Sequence, residues 1–376
     1  MSKYCKFPWT WQNVKMHQNK WRFCCKTKYL PYDEYIETIT KVQTDFINHI
    51  QPKECDACWN DEINSGGVSY RTTMGGETSH EQIVKFYSKN KQLEWIDIEF
   101  GDLCNMYCAS CGPNNSTTWQ QILKIKIDNN HFDASWDTLQ DTLDKNINYL
   151  NHINIYGGEP SIDSNFIRLA EYLSQFESTC RIQIYTNGNY SESYKTKFEN
   201  TLKKLESKGW KIDLHFSLDS VGENVEFMRG GLNFNRFAEN LKASVDMGFN
   251  TYVNITISLL NVELHYDVYN WLKDNNLHEK VSGKFNSVAS PTYLSVSNLG
   301  NKISDFLPDT PNGMPNNWNF YNNQIKQLTS KQVSKAEEPN KNILGSFIRY
   351  LQRYSELSNT KLPLYYVGLI DKLNKL

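Results

Sequence analysis

The sequence predicts an α/β fold: a curved sheet or open barrel of parallel strands, with helices outside and a wet or ligand-filled interior. Three observations carry this. Five short runs between residues 93 and 260 alternate apolar and polar residues with period two, as strands with two unlike faces do. Helical stretches fall between them, and strands alternating with helices make βα units. The polar face recurs on strand after strand, whereas a parallel sheet between two helix layers reads as continuous apolar runs. An antiparallel sheet with one solvated face would share the alternation but not the intervening helices.

Taken in order, residues 1–92 hold Cys5, Cys24, Cys25, Cys55 and Cys58, several aromatics and few clear strands, which predicts a small metal-stabilised unit. The first strand sets Ile96, Ile98 and Phe100 against Asp97 and Glu99. The second sets Ile153 and Ile155 against His152, Asn154 and Tyr156. In the third, Ile182 and Ile184 flank Gln183, with Tyr185 following. The fourth alternates Ile212, Leu214, Phe216 and Leu218 with Asp213, His215, Ser217 and Asp219, and the fifth Val253, Ile255 and Ile257 with Asn254, Thr256 and Ser258. Phe166, Ile167, Leu169, Ala170, Leu173 and Phe176 form a helical stripe after the candidate caps Asp163 and Ser164. Phe234, Phe237, Ala238, Leu241 and Val245 form another, stopped by Gly248. Residues 115–129, 192–208 and 263–275 also read as helices. Residues 330–342 read as a polar surface loop or linker, and the chain from Ile343 as helical. The division is a cysteine-rich unit over 1–92, a barrel over 93–300 and a mostly helical extension over 301–376.

Composition narrows the function classes. A length of 376 residues can bury a large core and still carry an appendage. Forty Lys and Arg against 42 Asp and Glu leave a formal charge of −2, so a phosphate-tracking nucleic-acid binder is not favoured. No apolar run approaches a membrane span, and the start lacks the apolar stretch of a secretory signal. The expectation is a soluble, cytoplasmic chain whose nine cysteines stay reduced. Thiols clustered as these are suit soft metals or iron–sulfur clusters better than disulfides.

Residues 104–111 read Cys-Asn-Met-Tyr-Cys-Ala-Ser-Cys, a C-x3-C-x2-C loop directly after the first strand. One loop can wrap Cys104, Cys108 and Cys111 around three corners of a [4Fe–4S] cube, leaving one iron open to substrate. A structural zinc site is the competing reading. The position corresponds to the carboxyl end of a barrel, where α/β barrels put their chemistry.

With Gly157-Gly158-Glu159-Pro160 after the second strand, this loop resembles the two leading motifs of the radical S-adenosylmethionine (SAM) enzymes. A Gly pair lets backbone approach a ligand closely. The resemblance implies a partial (β/α)6 barrel in which Glu159 holds the amino group of SAM. Asn187, in Thr186-Asn187-Gly188 after the third strand, falls at a further matching position. Ser217 and Arg229 fit the residues that commonly hold the SAM carboxylate, for which a guanidinium is the natural bidentate partner. Asp97, Glu99, Asn154, Tyr156, Tyr185, His215, Asn254 and Ser258 would line the SAM and substrate cavity. None carries an assigned proton-transfer role, and no catalytic residue is assigned. Ser110 departs from the family, many of whose members have an aromatic residue there.

The run from Cys111 to Trp119 looks like the branch with accessory SPASM or twitch cluster domains. A similar cysteine pattern lies in front: Cys5, Cys24, Cys55 and Cys58, with Asn19 at the position expected for glycine. Asn is the residue that best replaces Gly where φ is positive. The stretch Trp59 to Arg71, with Glu62, Gly66, Gly67 and Ser69, resembles members that carry such a unit first. These thiols would hold an auxiliary [4Fe–4S] cluster, with zinc or no metal as the alternatives and Cys25 as a rival to Cys24. Cys180 reads as a buried small residue. The resemblance implies reductive cleavage of SAM to a 5′-deoxyadenosyl radical that takes hydrogen from a substrate, with an external one-electron reductant of flavodoxin or ferredoxin type. The substrate is a peptide or protein, or else a small molecule. A non-catalytic iron–sulfur binding or electron-transfer protein is the alternative from another class.

Overall fold

Alternation along the five central strands gives the sheet one isoleucine-rich face, and burying that face under helices organises the molecule. The computed structural model describes residues 4–64, 67–90, 92–128, 132–288, 290–334 and 338–376. One sheet contains nine strands: β1 Trp11–Lys15, β2 Lys20–Arg22, β3 Leu30–Pro31, β4 Trp95–Glu99, β5 His152–Tyr156, β6 Arg181–Thr186, β7 Lys211–Ser217, β8 Asn250–Ile257 and β9 Val281–Ser287. Their order is β9-β8-β7-β6-β5-β4-β1-β2-β3. Pairing is parallel from β9 to β1, and β2 and β3 are added antiparallel. This is the α/β architecture expected from the sequence, consistent with a partial TIM-like barrel.

Among the described residues, α-helices of seven residues or more are α1 Tyr32–Ile47, α2 Asp56–Asn64, α3 Thr117–Leu123, α4 Phe132–Asn146, α5 Ser164–Leu173, α6 Glu192–Glu206, α7 Gly222–Met228, α8 Phe234–Asp246, α9 Asp267–Asp274, α10 Asn319–Ser334, α11 Lys341–Ser358 and α12 Leu364–Leu373. Among the described residues no helix is long and apolar enough to cross a membrane. The expected cap Asp163 starts α5 by accepting from the Asn165 N–H at 2.8 Å.

Register aligns the two faces. Ile96, Ile153, Ile182 and Ile212 form one cross-strand row, and Ile98, Ile155, Ile184 and Leu214 the next. All are buried, and each such side chain contributes about 1.5–3 kcal/mol. On the other face, Asn13, Asp97, Asn154, Gln183 and Asp213 stand in one row.

Four features differ from the sequence reading or were invisible to it. Strand β1 pairs directly with β4, so the sheet continues across the boundary expected near residue 92. Strand β9 escaped notice because its pattern is weak: at Gly283 an added Cβ would stand 2.4 Å from a Trp318 ring carbon, so the indole fills the side-chain space. Helix α4 was also unforeseen. Residues 330–334, expected as loop, extend α10 instead, while residues 335–337 lie outside the described residues. Helix α11 begins at Lys341, with the Asn340 side chain accepting from the Ile343 N–H at 3.2 Å.

Candidate active site

Beyond Glu99 the chain leaves the sheet and enters the three-cysteine loop. Cys104 and Cys108 are half-buried and Cys111 is exposed; all three are free thiols. Burial and mutual repulsion raise the Cys104 pKa, and burial pushes that of Cys108 up to about 12. A compensating positive charge or metal is what such thiols need to ionise. Backbone polar groups of the loop are held from several sides. The Thr118 hydroxyl donates to the Cys104 carbonyl at 2.7 Å, the Trp119 indole N–H to Cys108 O at 3.0 Å and the Ser116 hydroxyl to Met106 O at 2.5 Å. The loop N–H groups of Tyr107 and Ala109 donate to Gly230 O and Met228 O at 2.8 and 2.7 Å. From α11, the Tyr354 hydroxyl donates to Tyr107 O, and that of Tyr350 to Ala109 O.

The Gly157-Gly158 pair approaches this loop, where the sequence reading expected approach to a ligand. A Cβ on Gly158 would stand 2.2 Å from Leu103 O, and Gly157 has φ +136°. Gly158 N–H donates to Gly101 O at 2.7 Å and Glu159 N–H to Leu103 O at 2.8 Å. Pro160 opens a single turn, Pro160–Ile162. The buried Glu159 carboxylate accepts from the Thr186 hydroxyl (2.6 Å), the Asn187 N–H (2.5 Å) and the Ser161 N–H (3.0 Å). Burial raises its pKa, and these bonds oppose the rise.

Asn187 is thereby aimed at the loop: its amide nitrogen lies 2.8 Å from Asn105 Oδ1 and 3.9 Å from Cys104 Sγ. Arg229 pairs with Asp219 at 2.9 Å, and its buried Nε has no hydrogen-bond partner among the described residues. Its guanidinium also faces the Cys108 thiol. Thus Cys104, Asn187 and Glu159 form one group, and Cys108, Arg229 and Asp219 another. Ser217 ends β7, opposite Asn254.

Within the sheet's polar face lies a cavity of 610 Å³. Asp97, Glu99, Asn154, Tyr156, Tyr185, His215 and Asn254 line it as expected. Ser258 does not: it lies just past β8, where its hydroxyl accepts from the Leu260 N–H at 3.2 Å and its own N–H donates to Asn261 Oδ1 at 2.9 Å, building a turn. Asp97 accepts from Trp11 Nε1 (3.1 Å), Trp95 Nε1 (2.9 Å) and Asn154 Nδ2 (2.8 Å), yet burial lifts its pKa to about 6. Burial lowers that of His215 to about 4. Sequence reasoning missed the cavity residues of the front segment, Trp11, Asn13, Arg22, Cys25, Tyr29 and Tyr70, and Lys284 of β9. Strand β1 reads Trp-Gln-Asn-Val-Lys, without alternation, so no periodic signal marked Trp11 and Asn13.

The front cysteines separate into two groups. Cys5, Cys24, Cys55 and Cys58 line one small pocket together with Arg71, whereas Cys25 lines the large cavity. Arg71 is buried. It donates to Glu62 at 2.7 Å and to Tyr4 O at 2.9 Å, and lies over the Trp59 ring. Asn19 has φ 49° and ψ 48°, the left-handed conformation expected of it. Gly66 lies outside the described residues. Cys180 is buried. Among the described residues no three His, Cys, Asp or Glu side chains are grouped to hold a single metal ion. The four front thiols instead line a space beside the buried Arg71, and the Cys108 and Cys111 thiols lie near the Arg229 guanidinium; a positive charge beside each thiol set fits an anionic, thiolate-held cluster.

A three-thiol loop thus stands at the carboxyl end of the parallel strands, beside a polar cavity. Residues 98–272 match the model of the Radical SAM superfamily. No curated protein matches. Among solved structures, anSMEcpe with bound AdoMet is 14% identical with a TM-score of 0.42, covering 65% of this chain and 63% of that one. SuiB of Streptococcus suis bound to S-adenosylmethionine is 14% identical with a TM-score of 0.41, covering 78% and 67%. The chain thus spans less than two thirds of the length of the first of these.

Proposed function

We propose that this protein is a radical SAM enzyme that abstracts hydrogen from a substrate bound in the barrel cavity. The observation that carries the reading is the clamped loop bearing Cys104, Cys108 and Cys111 at the carboxyl end of the sheet whose polar face surrounds a 610 Å³ cavity. Cys104, Cys108 and Cys111 would hold a [4Fe–4S] cluster, which supplies the electron that splits SAM into methionine and a 5′-deoxyadenosyl radical. Arg229 and Ser217 would receive the SAM carboxylate; the partnerless Arg229 Nε is a donor available for it. Glu159, whose Oε2 accepts one hydrogen bond from protein, would turn to the SAM amino group. Residues of the cavity wall orient substrate and keep bulk water away, which is the protein's share when a cofactor carries the hard chemistry.

Cys5, Cys24, Cys55 and Cys58 would hold an auxiliary cluster of the SPASM or twitch kind, the reading supported by their shared pocket and by Arg71 beside it. An external reductant of flavodoxin or ferredoxin type completes the reaction, in a cytoplasm reducing enough to keep nine free thiols. The substrate is a peptide or protein, or a small molecule. The test is anaerobic reconstitution followed by dithionite reduction and assay of 5′-deoxyadenosine. The wild type is expected to form it. The Cys104→Ala/Cys108→Ala/Cys111→Ala variant should lose this activity and about half of the iron, because both clusters are of the four-iron type. Product formation by that variant would overturn the reading.

A further inference from the structure

Across the cavity wall, four rings from neighbouring strands stack in one column. Tyr156 and Tyr185 lie 4.5 Å apart between centroids, Tyr185 and His215 4.6 Å, and His215 and Tyr252 4.5 Å. Both faces of Tyr185 and of His215 are therefore covered, and the wall offers a substrate ring edges rather than ring faces. The column ends on a cation: Lys284 Nζ stands 4.8 Å from the Tyr252 ring centre and 5.7 Å from that of Phe320.

The other charges of the cavity are answered within the protein. Glu99 pairs with Lys15 at 3.0 Å. Asp97 takes its three neutral donors and feels the Arg22 charge. Arg22 donates to Asn13 Oδ1 and Cys25 O and lies over Tyr29. Lys284 faces no carboxylate at ion-pair distance among the described residues, and aromatic faces only partly replace one. Beside it in register is Asn254, whose buried Nδ2 has no hydrogen-bond partner. Buried donors are rarely left so.

We propose that Lys284 and Asn254 form an anion-recognising corner of the cavity, which receives a carboxylate of the substrate. The inference rests on the radical SAM reading and specifies the substrate class for that site: a molecule or peptide bearing a free carboxylate near the group that reacts. Lys284 supplies the charge and the Asn254 amide a directed hydrogen bond.

Matched probes test it: 4-hydroxyphenylacetate and its neutral amide, whose binding to the reconstituted protein is measured by saturation-transfer NMR. A charge-assisted contact predicts about a tenfold preference of the wild type for the acid. Lys284→Met should abolish the preference and Lys284→Arg keep it, the latter separating lost charge from lost structure. Equal binding of acid and amide to the wild type, failure of the acid to bind, or a preference surviving in Lys284→Met would overturn the proposal. Formation of 5′-deoxyadenosine by the wild type without added substrate reports on the radical SAM reading separately.

Discussion

The Tyr354 hydroxyl lies 2.9 Å from the carbonyl oxygen of Tyr107 and 3.0 Å from that of Phe227, and accepts from the Gly230 N–H at 3.2 Å. One side chain of α11 thus ties the middle of the three-cysteine loop to the end of α7. Tyr354→Phe removes the shared partner of three buried backbone groups. The cost should be about 1–3 kcal/mol, read by calorimetry as a melting point lower by several degrees. Iron loading of the Cys104, Cys108 and Cys111 site should fall with it. A variant that melts and loads as the wild type does would show that the loop holds without this clamp.

Gly158→Ala is expected to be worse, because the new Cβ would meet Leu103 O at 2.2 Å and backbone has nowhere to rotate. Forced overpacking of this kind costs about 1–3 kcal/mol or more. Gly112, within reach of the same thiols, is the control: an added Cβ there meets nothing within 4 Å, so Gly112→Ala should stay within about 0.5 kcal/mol. Comparing the two melting points checks the claim, and equal values would refute it.

Cys24 and Cys25 face different spaces, so their substitutions should have different consequences. Cys24→Ala, like Cys55→Ala/Cys58→Ala, should cost the front metal and lower the melting point, since ligands far apart in sequence couple metal binding to folding. Cys25→Ala should keep both. Metal analysis of the wild type distinguishes iron from zinc. Loss of metal from Cys25→Ala with retention in Cys24→Ala would reverse the assignment.

Acid should remove the stability contributed by two buried neutral histidines. Burial lowers the pKa of both His215 and His265 to about 4, below the ordinary 6.5. The unfolded chain then takes up these protons first, and stability present above pH 6.5 is lost as pH falls toward 4. The full effect is on the order of 2–3 kcal/mol per histidine. Asp97, raised to about 6, and Glu159, Asp163, Glu199 and Asp267, also raised by burial, act with the opposite sign, so the histidine contribution is read by comparison with a variant that lacks one of the two. Between pH 7 and pH 5 the melting point of the wild type should fall relative to that of His265→Gln. A difference between the two proteins that does not change with pH would contradict this.

By itself the sequence determined what depends on neighbours along the chain. The period-two pattern of Ile96 to Phe100 and its four successors predicted the strands, because alternation alone decides which residues share a face. Three closely spaced thiols announced the loop, and Asn19 its left-handed backbone. Tertiary structure alone decided the rest. Gly158 was legible as a place of close approach, but the atom approached, Leu103 O, comes from another strand's end. Cys24 and Cys25 are adjacent in sequence and chemically identical, so no local signal could assign one to the four-thiol pocket and the other to the large cavity. Lys284 stands on a strand whose Gly283 hides the alternation. That no carboxylate among the described residues reaches it is a property of what the fold brings within about 4 Å, a distance that sequence separation does not encode.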